Sequence, residues 1–90
     1  VVTLKPYVVS GQVDRLLVTD TTVNIVDFKT NRPPPNVETG VAEVYLRQMA
    51  AYRAALRQIY PDHKILTLLL WTDGPQLMRL SDAILDPHTP

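Results

Sequence analysis

The chain has 90 residues, no cysteine and a formal net charge of zero from nine basic and nine acidic residues. This length allows one small domain, and without cysteine a disulfide framework, a thiolate zinc site and an iron–sulfur cluster are excluded within these residues. The balanced charge argues against nucleic-acid binding through overall positive charge alone, and no apolar run approaches the roughly 20 residues of a membrane span.

A β-hairpin is predicted over residues 7–30, because two runs rich in β-branched residues flank a polar turn. If the loop consists of Asp20 and Thr21 alone, the numbers of facing residues add up to 41 and Asp14 lies opposite Asp27. A three-residue loop would shift the parity and send Asp14 to the other face. The tip contains no glycine that would fix the loop type, so both registers stay open.

The rest of the chain predicts a proline-rich loop, one helix and two further strands. Their predicted ranges are 31–40 for the loop, 41–60 for the helix, and 64–72 and 76–80 for the strands. The first of these strands is almost entirely apolar, so we expect it to be covered on both faces. Ser81 is expected to cap a final helical turn. The order β-β-α-β-β predicts an α/β (α+β) fold, a mixed sheet with a helix packed against it.

The predicted helix carries a stripe of larger side chains at helical spacing. The stripe consists of Tyr45, Gln48, Tyr52, Leu56 and Ile59, whereas Arg47, Arg53 and Arg57 lie mostly off it. Gln48 and Tyr52 are four residues apart and share a face, so they would reach towards the hairpin if the helix packs over it. The alternative is an ordinary core with Gln48 at its wet edge, and Tyr45 alone is interpreted as core.

The second strand of the hairpin places an acid and an amine where apolar residues are expected. By strand alternation, Asp27 and Lys29 share a face with Val23 and Ile25. With Asp14 opposite, two carboxylates and an ammonium would suit a hard cation such as Mg²⁺. From spacing alone, however, the ordinary interpretation is a surface ion pair worth about 0–1 kcal/mol, since D-x-K occurs often by chance.

Three segments in combination are more specific than that spacing. GQVDRL, IVDFKTN and YLRQMAAY, in this order, resemble the PD-(D/E)XK nucleases, and most closely the RecB-like C-terminal nuclease domain of AddA-type helicase–nucleases. The resemblance covers roughly residues 11–72 and implies a restriction-endonuclease-like fold. In that family a helix usually precedes the first strand, so we expect residues 1–90 to form a single partial nuclease domain, incomplete at the N-terminus.

The resemblance also implies roles for the polar residues of the hairpin. Asp14 and Asp27 match the catalytic, metal-binding carboxylates, and the resemblance implies the main-chain carbonyl of Phe28 as a further metal ligand. Lys29 matches the catalytic lysine. The histidine or glutamate that often adds a metal contact upstream has no counterpart among residues 1–10.

On the helix, Gln48 and Tyr52 match the family's Q-x-x-x-Y motif, which orients the site or touches DNA. The implied function is a Mg²⁺-dependent deoxyribonuclease, with Mn²⁺ as a substitute and exonuclease activity expected. It would act in DNA double-strand break repair and recombination, beside an ATP-binding helicase and an AddB-type partner chain, in the bacterial cytoplasm. We expect the apolar face left by the missing helix to drive self-association.

Two alternatives stay open. The first is a non-catalytic member of the same fold that binds DNA or a partner. The second is an unrelated β-β-α-β-β interaction module with a surface ion pair, for which mutation of Asp14 or Lys29 would change no activity.

Overall fold

The computed structural model describes residues 2–3, 8–9, 14–30, 33–73 and 75–89, with side chains from Asp14 onward. Its elements in chain order are β1 (Val2–Thr3), β2 (Val8–Val9), β3 (Arg15–Val18), β4 (Thr22–Lys29), α1 (Glu43–Ile59), β5 (Lys64–Trp71), β6 (Gln76–Leu80) and α2 (Asp82–Leu85). Two short 3₁₀ turns, Glu38–Gly40 and Asp86–His88, precede α1 and follow α2.

The main sheet has four strands in the order β3-β4-β5-β6. β4 and β5 are parallel, and the two outer pairs are antiparallel. The parallel pair requires a crossover, which α1 supplies between β4 and β5. The predicted mixed sheet with one packed helix is therefore confirmed.

The β3–β4 hairpin closes with a two-residue loop. Facing residues run from Arg15 opposite Val26 to Val18 opposite Val23, so partner numbers add up to 41 as the shorter loop predicts. The loop needs no glycine because the Thr19 hydroxyl accepts hydrogen bonds from the N–H of the residues at the tip. The N–H of Thr22 lies 2.9 Å from that oxygen. This side-chain turn fixes the register.

The predicted hairpin over residues 7–30 is longer than the one observed. Val8–Val9 pairs with Val2–Thr3 in a separate two-stranded sheet instead of extending β3. In the observed register Val8 would face Pro33, which has no N–H to donate to a ladder. Residue 7 and residues 10–13 lie outside the described part of the chain, as do residues 31 and 32 of the predicted loop.

Helix α1 buries a broader face than the predicted stripe. Its buried residues are Leu46, Met49, Ala50, Tyr52, Arg53, Ala54, Ala55 and Leu56. Ile59 is 45% exposed and Arg53 is 0% exposed, so the prediction was wrong for both. Arg53 is buried because α1 packs against α2 and the final 3₁₀ turn as well as against the sheet. No helix among the described residues has the length and apolar character needed to cross a membrane.

Only one face of β5 is covered among the described residues. Ile65, Thr67, Leu69 and Trp71 are buried beneath α1, whereas Leu66, Leu68 and Leu70 are half-buried. The prediction that both faces are covered was therefore wrong for this structure. We call the second side the open face; it consists of Val26, Phe28, Leu66, Leu68, Leu70 and Leu77.

The C-terminal turn is fixed by partly buried polar contacts. Ser81 caps α2 by accepting from the N–H of Ile84 at 3.3 Å, which confirms its predicted role. The Glu38 carboxylate in turn accepts from the N–H of Ser81 at 2.8 Å. Arg53 donates to Asp82 and Asp86, so the last residues are tied to the middle of α1.

Candidate active site

Strand β4 places Asp27 and Lys29 on the buried face of the sheet, as strand alternation predicts. Asp27 is 5% exposed, and the Lys29 side chain is 13% exposed. Lys29 Nζ lies 2.6 Å from Oδ2 of Asp27, which makes the two an ion pair. The approach lacks hydrogen-bond alignment, because this buried Oδ2 has no hydrogen-bond partner among the described residues. The Asp27 carboxylate is therefore paired in charge but not satisfied as an acceptor.

Asp14, the residue that precedes β3, brings its carboxylate to Asp27. Its Oδ2 accepts a hydrogen bond from the main-chain N–H of Phe28 at 2.8 Å. The last facing pair of the hairpin is Arg15 and Val26. Beyond this pair, the Asp14 carboxylate accepts the hydrogen bond that a main-chain carbonyl of a longer β3 would accept. It also lies close enough to the carboxyl of Asp27 for each acid to shift the pKa of the other. The two acids of the hairpin are thus neighbours in one site.

The two carboxyl groups titrate in opposite directions. Burial raises the pKa of Asp27, and its hydrogen bond with Asp14 raises this pKa further. The same hydrogen bond lowers the pKa of Asp14, with smaller contributions from the Phe28 N–H and the Lys29 charge. Of the two acids, Asp27 therefore binds a proton more strongly than Asp14 does. When both acids are ionised, they and Lys29 together carry one excess negative charge, which favours a cation.

Helix α1 supplies the opposite side of the site. Lys29 Nζ donates to Oε1 of Gln48 at 3.2 Å, and Nε2 of Gln48 donates to the Tyr52 hydroxyl at 3.3 Å. Tyr52 is 1% exposed, so Gln48 is anchored in the core. The structure therefore brings together all five side chains named as site residues. At Phe28 the structure shows the main-chain N–H donating to Asp14. The metal-binding role of the Phe28 carbonyl stays a prediction.

Two aromatic residues beside Lys29 are not among those site residues. Tyr45 is half-buried, and its ring centroid lies 4.1 Å from Lys29 Nζ. Trp71 is 1% exposed and packs against the Tyr45 ring at 6.4 Å between centroids. The spacing to Gln48 signals that Tyr45 shares its helix face. No sequence signal identifies Trp71, because the register of the parallel β4–β5 pair is not set by a turn.

The donor set suits a hard divalent cation. Among the described residues no group of three or more histidine, cysteine, aspartate or glutamate side chains could hold a metal. Mg²⁺, however, is commonly bound through one or two carboxylates and keeps several waters. The buried Oδ2 of Asp27 without a hydrogen bond is an oxygen that such an ion would satisfy. Asp14 and Asp27 therefore fit a magnesium-type site.

Comparison with known proteins identifies the superfamily of the chain. The family model of the PD-(D/E)XK nuclease superfamily matches residues 2–82, and the chain belongs to this superfamily. It is similar to the A subunit of the ATP-dependent helicase/nuclease of Oenococcus oeni (strain ATCC BAA-331 / PSU-1), with 34% identity over 63 residues. That match covers 70% of this chain and 5% of the relative, so the chain spans a small part of the relative's length. No solved structure gives a significant match.

Proposed function

We propose that this chain is the catalytic part of a metal-dependent deoxyribonuclease that hydrolyses phosphodiester bonds. The observation that supports this function is the convergence of Asp14, Asp27 and Lys29 at one point between β3, β4 and α1. A surface ion pair, the competing interpretation of D-x-K, does not need a buried acid. Asp27 is 5% exposed, and its raised pKa records the cost of that burial.

In this proposal Asp14 and Asp27 hold Mg²⁺, with the main-chain carbonyl of Phe28 as a further ligand and Mn²⁺ as a substitute. A divalent cation bound there supplies a water of lowered pKa and polarises a phosphoryl oxygen. Asp27 would hold the ion as a carboxylate, because the protonated acid is a poor ligand and its raised pKa favours the protonated form at low pH. Cation binding is therefore weakened at acidic pH.

The ammonium group of Lys29 orients the attacking water or offsets the negative charge that develops on the phosphate. Gln48 accepts from Lys29 and is fixed by Tyr52, so these two residues keep the ammonium in place. Catalysis by pre-placed charge requires such support, because a side chain that must reorganise loses much of its effect.

The wider role is equally a proposal. The family resemblance of the sequence implies exonuclease action in DNA double-strand break repair and recombination, and the relative's name supports a nuclease joined to an ATP-dependent helicase. Because that relative is named as one subunit of its enzyme, it supports a second chain of the AddB type as partner. We place the protein in the bacterial cytoplasm on the same grounds.

The direct test is cleavage of end-labelled linear DNA with Mg²⁺, Mn²⁺ or EDTA. We expect metal-dependent cutting, and we expect Asp14→Asn to reduce it by about 100-fold or more, since metal-based stabilisation amounts to several kcal/mol. Asp20→Asn is the matched control, because this exposed acid lies in the hairpin loop away from the site. Wild-type cutting by Asp14→Asn would contradict the proposal. A covalently closed circle left intact would support the exonuclease mode.

The same samples address the alternative of a non-catalytic member of the fold. Such a protein would bind metal and DNA and leave every substrate uncut in Mg²⁺ and in Mn²⁺. An unrelated interaction module would also show no metal binding that depends on Asp14.

A further inference from the structure

We infer that Tyr45 is a positioning residue for the proposed reaction: its aromatic ring holds the Lys29 ammonium in place without occupying a hydrogen-bond donor. The inference rests on the proposed function of Lys29. It starts from the 4.1 Å distance between Nζ and the ring centroid, which lies well inside the roughly 6 Å limit for a cation–π contact.

Three groups approach the ammonium, and they come from two different elements. β4 provides Oδ2 of Asp27 at 2.6 Å. α1 provides Oε1 of Gln48 at 3.2 Å and the Tyr45 ring. The lysine side chain is 13% exposed, so these contacts act with little solvent around them, and a cation–π contact is strongest where water is excluded.

The three contacts differ in whether they use one of the N–H donors of the ammonium. An ammonium has three N–H donors, and Gln48 accepts one of them. An aromatic ring attracts the positive charge as a whole and requires no particular N–H. Tyr45 can therefore restrain Lys29 while N–H groups remain free for a water or a phosphate oxygen.

The Tyr45 ring would also keep its contact with Lys29 when a cation is bound to Asp27. Asp27 is the proposed cation ligand, so its carboxylate would be shared between Lys29 and a bound cation, and its contact with Lys29 already lacks hydrogen-bond alignment. A ring is not a ligand for a hard cation. Tyr45 and Gln48 would then be the contacts that retain Lys29.

The position of Tyr45 is itself fixed by the sheet. Trp71 packs against its ring with an interplanar angle of 53°, and Trp71 is the partner of Lys29 in the β4–β5 register. Trp71 is buried and cannot withdraw into solvent. The ring of Tyr45 is therefore held between a rigid strand and the ammonium that it contacts.

The placement can be tested without any assay of cutting. The chain has three lysines, Lys5, Lys29 and Lys64, so lysine labelled with ¹³C at Cε gives three signals, assigned by Lys29→Met and Lys64→Met. We expect ring-current shifted ε protons and restricted motion for Lys29, with Lys64 as the mobile reference. Tyr45→Phe keeps both properties, and Tyr45→Leu loses both. An unshifted Lys29 signal, or unchanged restriction in Tyr45→Leu, would overturn the inference.

The consequence for the reaction is tested by kinetics. We expect Tyr45→Leu to lower kcat by about 3- to 30-fold with little change in KM, and Tyr45→Phe to restore most of the loss. If Tyr45→Leu does not fold, pentafluorophenylalanine at position 45 keeps the ring's shape and reverses its charge distribution. It should lower kcat while the protein still unfolds in one cooperative thermal transition. An equal loss in Tyr45→Phe, or wild-type kcat with the fluorinated ring, would overturn the inference.

These outcomes separate the inference from the proposed function. Absence of cutting by the wild-type protein would contradict the proposed function, and the lysine spectra would still decide whether the ring holds Lys29. Normal cutting with an unrestrained Lys29 would contradict the inference alone.

Discussion

Asp27→Asn should separate the stability of the chain from its proposed activity. The buried Oδ2 of Asp27 has no hydrogen bond, and such an unsatisfied group costs about 1–3 kcal/mol. The substitution keeps the side-chain shape and allows an amide N–H to donate to Asp14. It removes the ion pair with Lys29, but the remaining Asp14 and Lys29 charges balance. We therefore expect a gain in unfolding free energy of about 1 kcal/mol at pH 7, with loss of metal-dependent cutting.

The direction of the pH dependence follows from the raised pKa of Asp27. An acid whose pKa is higher in the folded state contributes stability that is fully present below its ordinary value of 3.8. This contribution is lost as the pH rises through the folded pKa. Relative to wild type, Asp27→Asn should therefore become increasingly favourable as the pH rises above about 4.

Urea unfolding at several pH values between 4 and 8, in EDTA, measures both effects. Asp20→Asn is the control, because Asp20 is an exposed acid in the hairpin loop. The reasoning would be refuted if Asp27→Asn were destabilised by more than about 1 kcal/mol at pH 7. A stability difference that does not change with pH would refute it equally.

Two further predictions concern the frame of the site. Arg53→Met should lower the unfolding free energy, measured in urea, by about 1–3 kcal/mol. The reason is that it removes a fully buried guanidinium together with its 2.8 Å hydrogen bonds to Asp82 and Asp86. Arg57→Met, at a side chain 49% exposed and 3.6 Å from Asp82, should change it by less than about 0.5 kcal/mol. Equal losses in the two variants would contradict the stabilising role of the Arg53 hydrogen bonds. The open face should drive self-association in sedimentation experiments, and Leu77→Ser, at its most exposed residue, should reduce it. A wild-type chain that stays monomeric at high concentration would contradict this second prediction.

Much of the site could be predicted from local periodicity. Strand alternation alone puts Asp27 and Lys29 on one face, and helical spacing alone puts Gln48 and Tyr52 on another. Both patterns are set by backbone geometry within a single element, so neither depends on how the elements pack. The Ser81 cap is local in the same way, because its hydroxyl bonds the N–H of Ile84 three residues further on.

The remaining features depend on contacts between distant segments. The burial of Arg53 requires α2 to fold back onto α1, and no pattern within α1 reveals that helix. The contact between Tyr45 and Lys29 requires the helix to pack over β4 at one particular position along the strand. The hairpin register lies between these cases. It is set locally, but by the hydroxyl of Thr19 instead of the glycine by which such loops are usually recognised.

The central claim is a division of labour in which two acids hold the cation and Lys29 acts in the chemistry. It is tested most directly by measuring Mn²⁺ binding and DNA cutting side by side for Lys29→Met, with Lys64→Met as the exposed control. Removal of the lysine charge leaves the two carboxylates with two negative charges instead of one in excess. Lys29→Met should therefore bind Mn²⁺ at least as tightly as wild type and cut at least about 100-fold more slowly. Cutting at the wild-type rate, or loss of Mn²⁺ binding together with cutting, would contradict the claim.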